Sequence, residues 1–187
     1  MEDKPQHQCV IPLHKPSNRE LIFFFLSGIL VSIPNALFFS NFYPIFPGAV
    51  AVILIAPFVE EFAKVLPLFY RHGETERSLV TLGVLIGLGF GISEFVLYVF
   101  ILDVPWFVRI PGVIFHASSA AITAYGIAKK KPLSYYLTSV FLHATNNFFA
   151  VVAPVSFGVL AELLVLVTVY LLAWHFYHKA STEKMVV

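Results

Sequence analysis

Six stretches of this chain are each long and apolar enough to cross a bilayer: Leu21–Phe39, Gly48–Tyr70, Leu79–Leu102, Phe107–Ala128, Leu133–Ala153 and Val155–Tyr177. A hydrocarbon core about 30 Å thick needs around 20 apolar residues in a helix. Only helices and closed barrels satisfy their own backbone polar groups in lipid. The pattern therefore predicts an all-α fold, a polytopic membrane protein built as a six-transmembrane helix bundle. The connectors are short and carry the turn-formers, among them Tyr43-Pro44, Pro47-Gly48, Asp103-Val104-Pro105 and Pro154.

Composition agrees. Of 187 residues 58% are hydrophobic and only 12% charged, whereas a soluble domain carries about 25% charged residues. A water-soluble domain is excluded, and so is a disordered chain, which needs high charge and low hydrophobicity. The charged leader before Leu21 and the span-length stretch after it argue against a cleaved signal peptide. The one cysteine, Cys9, makes neither an intrachain disulfide nor a cysteine metal cluster. A net charge of +1 offers nothing for nucleic acid. With no internal repeat, residues 1–187 form a single integral membrane domain, with 1–19 as a cytoplasmic tail and the motif-bearing core at about 48–153.

Ten of the twelve basic residues fall on one side of the six spans: Lys4, Lys15 and Arg19 in the leader, Arg71 and Arg77 in the second loop, Lys129 to Lys131 in the fourth, and Lys179 and Lys184 in the C-terminal tail. Cytoplasmic loops carry the Lys/Arg excess, so the chain is expected in the cell membrane as a multi-pass protein with both termini cytoplasmic. Tyr70, Trp106, Trp174 and Tyr177 stand near span ends, where aromatic rings anchor at the headgroups. The lysine triplet is a topology signal and lipid contact. His175 and His178 belong to the inner interface, and His7, His14 and His72 lie outside the membrane.

Seven ionisable side chains lie inside spans: Glu60, Glu61, Lys64, Glu94, His116, His143 and Glu162. A charge at mid-bilayer costs about 2.5–3.5 kcal/mol on insertion scales, and that cost falls only where such groups face one another or a wet cavity. Alternating span direction places Glu60, Glu94, His116 and His143 some 8 to 12 residues from the outer ends of four different helices. At 1.5 Å per residue that is one layer about 12–18 Å deep.

Local spacing adds detail. Glu60 and Lys64 are i and i+4 and share a helix face, so Lys64 is placed to neutralise a carboxylate while Glu61 points to a neighbouring helix. His143 and Asn147 have the same spacing. Pro57 leaves a carbonyl without its donor and kinks the second span. Gly83, Gly87 and Gly91 form a small-residue ridge for helix packing, and Ala117–Ala121 leaves room beside His116. Glu162 has no partner motif and stays outside the expected site. Asp103 is a loop residue, and Arg109 is expected to snorkel at the outer rim.

Glu60-Glu61-x-x-Lys64, Phe90-x-x-x-Glu94, His116 and His143-x-x-x-Asn147, each in its own span and in this order, resemble the motif series of the PrsW intramembrane proteases. That family shares a superfamily with the CAAX prenyl endopeptidases and the Aph subunit of gamma-secretase. The resemblance covers roughly residues 50–150. It implies peptide-bond hydrolysis within the membrane, with a single-pass membrane protein as substrate; the bacterial prototype cuts an anti-sigma factor on its extracytoplasmic side. One departure is Asn147, where an acidic residue is expected.

Amide hydrolysis requires an activated water, a cradle for the oxyanion and a proton for the leaving nitrogen. Glu60 or Glu61 is expected to polarise the water, with Glu94 holding it or sharing a proton. His143 and Asn147 donate to the oxyanion, and His116 completes that cradle or shuttles the proton. The rival arrangement puts a zinc ion on His116, His143 and Glu94. No His-Glu-x-x-His helix demands it, so a metal-independent site is preferred. A proton-coupled transporter or channel and a non-catalytic Aph-like scaffold are the competing classes. The transporter usually shows two similar halves, and the scaffold tolerates loss of the Glu60–Lys64 cluster.

Overall fold

Ser17 starts the first helix. Its hydroxyl accepts the Glu20 amide at 3.4 Å while the Glu20 carboxylate accepts the Ser17 amide at 2.7 Å, the reciprocal bonding of a capping box. The computed structural model describes residues 15–42 (backbone alone from 35), 48–70 and 74–186. Cys9, His7, His14, Lys4, Arg71, His72, Pro47 and the Tyr43-Pro44 turn lie outside the described residues.

The described chain is helical throughout apart from one isolated bridge between Thr75 and Met185. Helix α1 is Asn18–Phe42. Helix α2, residues 48–70, changes its winding along its length: α over Gly48–Val50, π over Ala51–Ile55, α over Ala56–Val65 and 3₁₀ over Leu66–Tyr70. Helix α3 spans Glu76–Ile101 and ends in a π turn at Leu97–Ile101. Helices α4, Trp106–Ala128, α5, Pro132–Val152, and α6, Val155–Lys179, complete the bundle. The six apolar stretches coincide with the six helices, their ends shifted by at most three residues. Among the described residues α3, α4 and α6 are long and apolar enough to cross a membrane. Large apolar side chains such as Phe100, Phe141, Val155 and Leu164 face outward, as a lipid-facing surface requires.

Helix α3 is the central post, packed against α1 on one side and α4 on the other. Glycine makes both seams possible. A Cβ on Gly87 would run into the His116 carbonyl, and one on Gly91 would lie 2.8 Å from Val113 Cα. On the opposite side, Cβ atoms on Gly28 and Gly89 would strike the Ile86 and Phe25 carbonyls. The expected ridge therefore does pack against a helix, and a second glycine seam backs it.

The two ends of the bundle differ. Where α3 begins and α4 ends, Phe24, Val65, Leu68, Leu79, Leu82 and Ile86 form a dry core, and Val186 of the tail packs into it. The tail runs back beneath the helices: Val186 donates to the Glu74 carbonyl at 2.9 Å, and Glu76 and Arg77 donate to Lys184 and Ser181 carbonyls at 3.0 Å. The buried Glu76 carboxylate accepts from Lys129 Nζ at 2.6 Å and from the Ser181 amide at 3.0 Å. That hydrogen bond raises the Lys129 pKa above the usual lysine value. At the other end, the helices part around a cavity of about 880 Å³.

Candidate active site

The site begins with a missing donor. In the π stretch of α2 the Ala56 amide reaches the Ala51 carbonyl, an i→i+5 bond. The next bond in that register runs from residue 57 to the Val52 carbonyl, and Pro57 has no N–H to give. Asn147 on α5 supplies it, its Nδ2 donating to Val52 O at 2.9 Å. The kink expected at Pro57 thus takes the form of a π turn tied to α5. Beyond it the α winding resumes, and successive residues diverge by about 100°. Glu60 turns to the cavity and Glu61 turns away from it.

Behind the cavity wall lies a fully buried pair. Lys64 Nζ donates to Glu61 Oε1 at 2.7 Å and to His116 Nδ1 at 2.6 Å, and stands 4.9 Å from the centre of the Phe90 ring. The same Glu61 oxygen accepts the His143 Nδ1 hydrogen at 2.8 Å and the Ser119 hydroxyl at 3.1 Å. Glu61 thus points to neighbouring helices as expected, and it is also the carboxylate that Lys64 neutralises. Lysine reaches i−3 as readily as i−4, and its ammonium, sealed from water, takes the carboxylate that is also sealed. Phe90, first residue of its motif, forms the floor under both Lys64 and the His116 ring, 5.2 Å away.

In front of that pair, Glu60, Glu94, His116, His143 and Asn147 all line the one cavity. His116 Nε2 lies 2.7 Å from Glu94 Oε2, and His143 Nε2 lies 3.6 Å from Glu60 Oε2. The two rings are 5.3 Å apart. The back pair sets their tautomers. An ammonium only donates, so His116 Nδ1 accepts and its proton sits on Nε2, directed at Glu94. A carboxylate only accepts, so His143 carries its proton on Nδ1 and, when neutral, presents a lone pair at Nε2. One donor atom from each of Glu60, His116 and His143 lies within 4.8 Å of the others, a grouping able to hold a metal ion. The carboxylate of that group is Glu60, where the zinc alternative had Glu94.

Three residues depart from expectation. Arg109 does not snorkel: its guanidinium lies over the Tyr98 ring at 3.7 Å with a nitrogen 3.6 Å from Glu94 Oε2. A cation–π contact and a carboxylate inside the cavity hold it more favourably than the rim does. Glu162 lines the cavity as well. Ser119, which counted only as a small residue, is a donor to Glu61; its signal was its i+3 position on the His116 face.

The sequence matches the PrsW family intramembrane metalloprotease domain over residues 16–175. No curated protein and no solved structure shows a significant match. That stretch takes in all six helices almost entirely and every residue of the two rows around the cavity, and the chain belongs to the PrsW family of intramembrane metalloproteases, hydrolases of peptide bonds within the membrane.

Proposed function

We propose that the protein is an endopeptidase that cuts in or near the membrane-spanning segment of a single-pass, anti-sigma-factor-like membrane protein, using water activated by Glu60. The observation that carries this is the two-row site. Glu61 and Lys64 spend their hydrogen bonds on the far nitrogens of two histidines, and Glu60, Glu94 and both Nε2 atoms are left facing a cavity. Buried groups that orient others, behind groups that meet a substrate, are how a preorganised site is built. The bundle is one domain over 1–187, with its motif-bearing core at 48–153. It crosses the membrane six times with both termini cytoplasmic, as the one-sided lysine and arginine distribution supports.

Of the two candidate bases, Glu60 is the one that reaches the cavity. It takes a proton from water as the water oxygen bonds to the scissile carbonyl carbon. The carbonyl oxygen, now an anion, accepts from the Asn147 amide hydrogen that Val52 leaves free and shares the His116 Nε2–H with Glu94. His116 takes the first of its two expected roles, and His143 moves from the cradle to the proton relay. His143 presents a lone pair, so it relays the proton from Glu60 to the leaving nitrogen as the C–N bond breaks. Glu94 and Arg109 hold His116 in place. A proton-coupled transporter or an Aph-like scaffold fits poorly with membership in a hydrolase family.

The family is named for a metal, and the residues fit one in kind, with one donor atom of each within 4.8 Å of the others. Two imidazoles and a carboxylate are the three protein ligands of a catalytic zinc site, and the 3.6 Å between Glu60 and His143 is near the roughly 3.3 Å edge of a tetrahedron with bonds of about 2.05 Å. Glu60, His116 and His143 would hold the ion, which when bound supplies Lewis-acid activation of the same water. Lys64 works the other way, because a His116 that accepts at Nδ1 carries its proton on Nε2. Cleavage of a reconstituted single-span substrate with and without a chelator separates the two versions. Undiminished cleavage supports carboxylate activation alone. Loss that only zinc restores assigns the activation to an ion on those three residues.

A further inference from the structure

Glu162 is the costly residue that the proposed chemistry does not use. It lies on α6 four residues after Gly158, on the face that meets α5, where a Cβ on Gly158 would come within 3.0 Å of the Phe149 carbonyl. With Val159, Leu163 and Leu166 it forms the α6 wall of the cavity. Among the described residues it makes no hydrogen bond and no ion pair. Its charged neighbour is Arg109, whose guanidinium is engaged by Glu94 and Tyr98. An intramembrane carboxylate is costly unless paired, and the cation near Glu162 is already engaged elsewhere.

The rest of the lining says what would pair with it. Three carboxylates, Glu60, Glu94 and Glu162, face the cavity, and Arg109 is the one lysine or arginine among its lining residues. Lys64 stands behind the wall, already paired. Glu60 belongs to the group that could hold a metal ion and Glu94 is engaged by His116 and Arg109, so Glu162 is the carboxylate of the cavity wall left to meet positive charge in whatever enters. Counted from the outer start of its helix, Glu162 lies five residues nearer that end than Glu60, about 7.5 Å along the axis. An extended chain advances about 3.3 Å per residue.

We infer that Glu162 is a specificity-determining residue, which accepts a lysine or arginine side chain of the substrate within about three residues of the scissile bond. This rests on the proposed peptidase site and names the substrate feature that site selects. The half-buried carboxylate and the incoming cation form a charge-assisted hydrogen-bonded pair, whose attraction offsets part of the desolvation of each.

The test is a substrate scan. A single-span substrate is prepared with lysine, norleucine or glutamate at each position within three of the cut, and kcat/KM is measured with wild-type protein, Glu162→Gln and Glu162→Lys. One position should favour lysine over norleucine by about tenfold or more, the size of a hydrogen bond between charged groups. That preference should fall close to one in Glu162→Gln and turn toward glutamate in Glu162→Lys. A wild-type enzyme indifferent to charge at every position would overturn the inference without any variant having to fold. So would a lysine preference that Glu162→Gln leaves intact. Failure of the underlying site looks different: Glu60→Gln would then cleave every substrate at the wild-type rate.

Discussion

The two ends of this bundle solve the problem of buried charge in opposite ways. At the tail end Glu76 is buried but spoken for, held by Lys129, the Ser181 amide and, at 3.7 Å, Lys184. There the helices close over an apolar core and the chain returns to seal it. At the cavity end the charges are arranged in depth, with a sealed Glu61–Lys64 pair behind and Glu60, Glu94 and Glu162 in front. Prolines and π turns mark this half of the bundle: Pro57 follows the π turn of α2, the π turn of α3 stands beside the cavity, and Pro111 lines it. The π turns of α2 and α3 both stand at the cavity, whereas the irregular turn at the tail end is the 3₁₀ stretch Leu66–Tyr70.

Breaking each layer in turn should give distinct signatures. Glu60→Gln replaces the cavity-facing base with a near-isostere. It should lower cleavage by about 10²–10⁴-fold, with a cooperative thermal unfolding transition in detergent retained. Wild-type cleavage by this variant would refute the assignment of the base. Lys64→Met strands the Glu61 charge in a dry site, and removing one partner of a buried pair costs about 3–5 kcal/mol. Stability and activity should fall together, and Lys64→Met combined with Glu61→Gln should recover much of the stability and little of the rate. If the double variant cleaves normally, the back row does not orient the histidines. The smallest effect belongs to the tail end. Glu76→Gln should cost about 1–3 kcal/mol of stability, read as a lower unfolding temperature, with kcat/KM unchanged at low temperature. A selective loss of kcat there would mean that the two ends are coupled.

The positions of the helices are legible in the chain because hydrophobic length is a local quantity, and each apolar stretch became one helix. The convergence of Glu60, Glu94, His116 and His143 is legible for a related reason: with alternating directions, depth follows from counting residues. Rotation about each helix is not so readable. Glu61 and Glu60 are equally near Lys64 along the helix, and only α4 and α5, bringing His116, Ser119 and His143, decide which carboxylate is sealed. Arg109 was expected at the rim because a long cationic side chain usually finds water, and nothing local announces that Tyr98 and Glu94 wait inside. The Gly28–Gly89 seam involves two helices distant in sequence, so neither glycine looks special alone. The return of the tail depends on a single bridge and a few backbone bonds, which leave almost no trace in composition.

The double glycine seam has one more consequence. Because α3 touches α1 and α4 backbone to backbone, it has no side-chain cushion on which to tilt, and any sideways shift drives carbonyls into Cα atoms on one flank or the other. It is a hinge post and not a door. A larger residue at Gly87 or Gly91 would push against the backbone around His116, so the pairing of His116 with Glu94 depends on the absence of a side chain at these two positions.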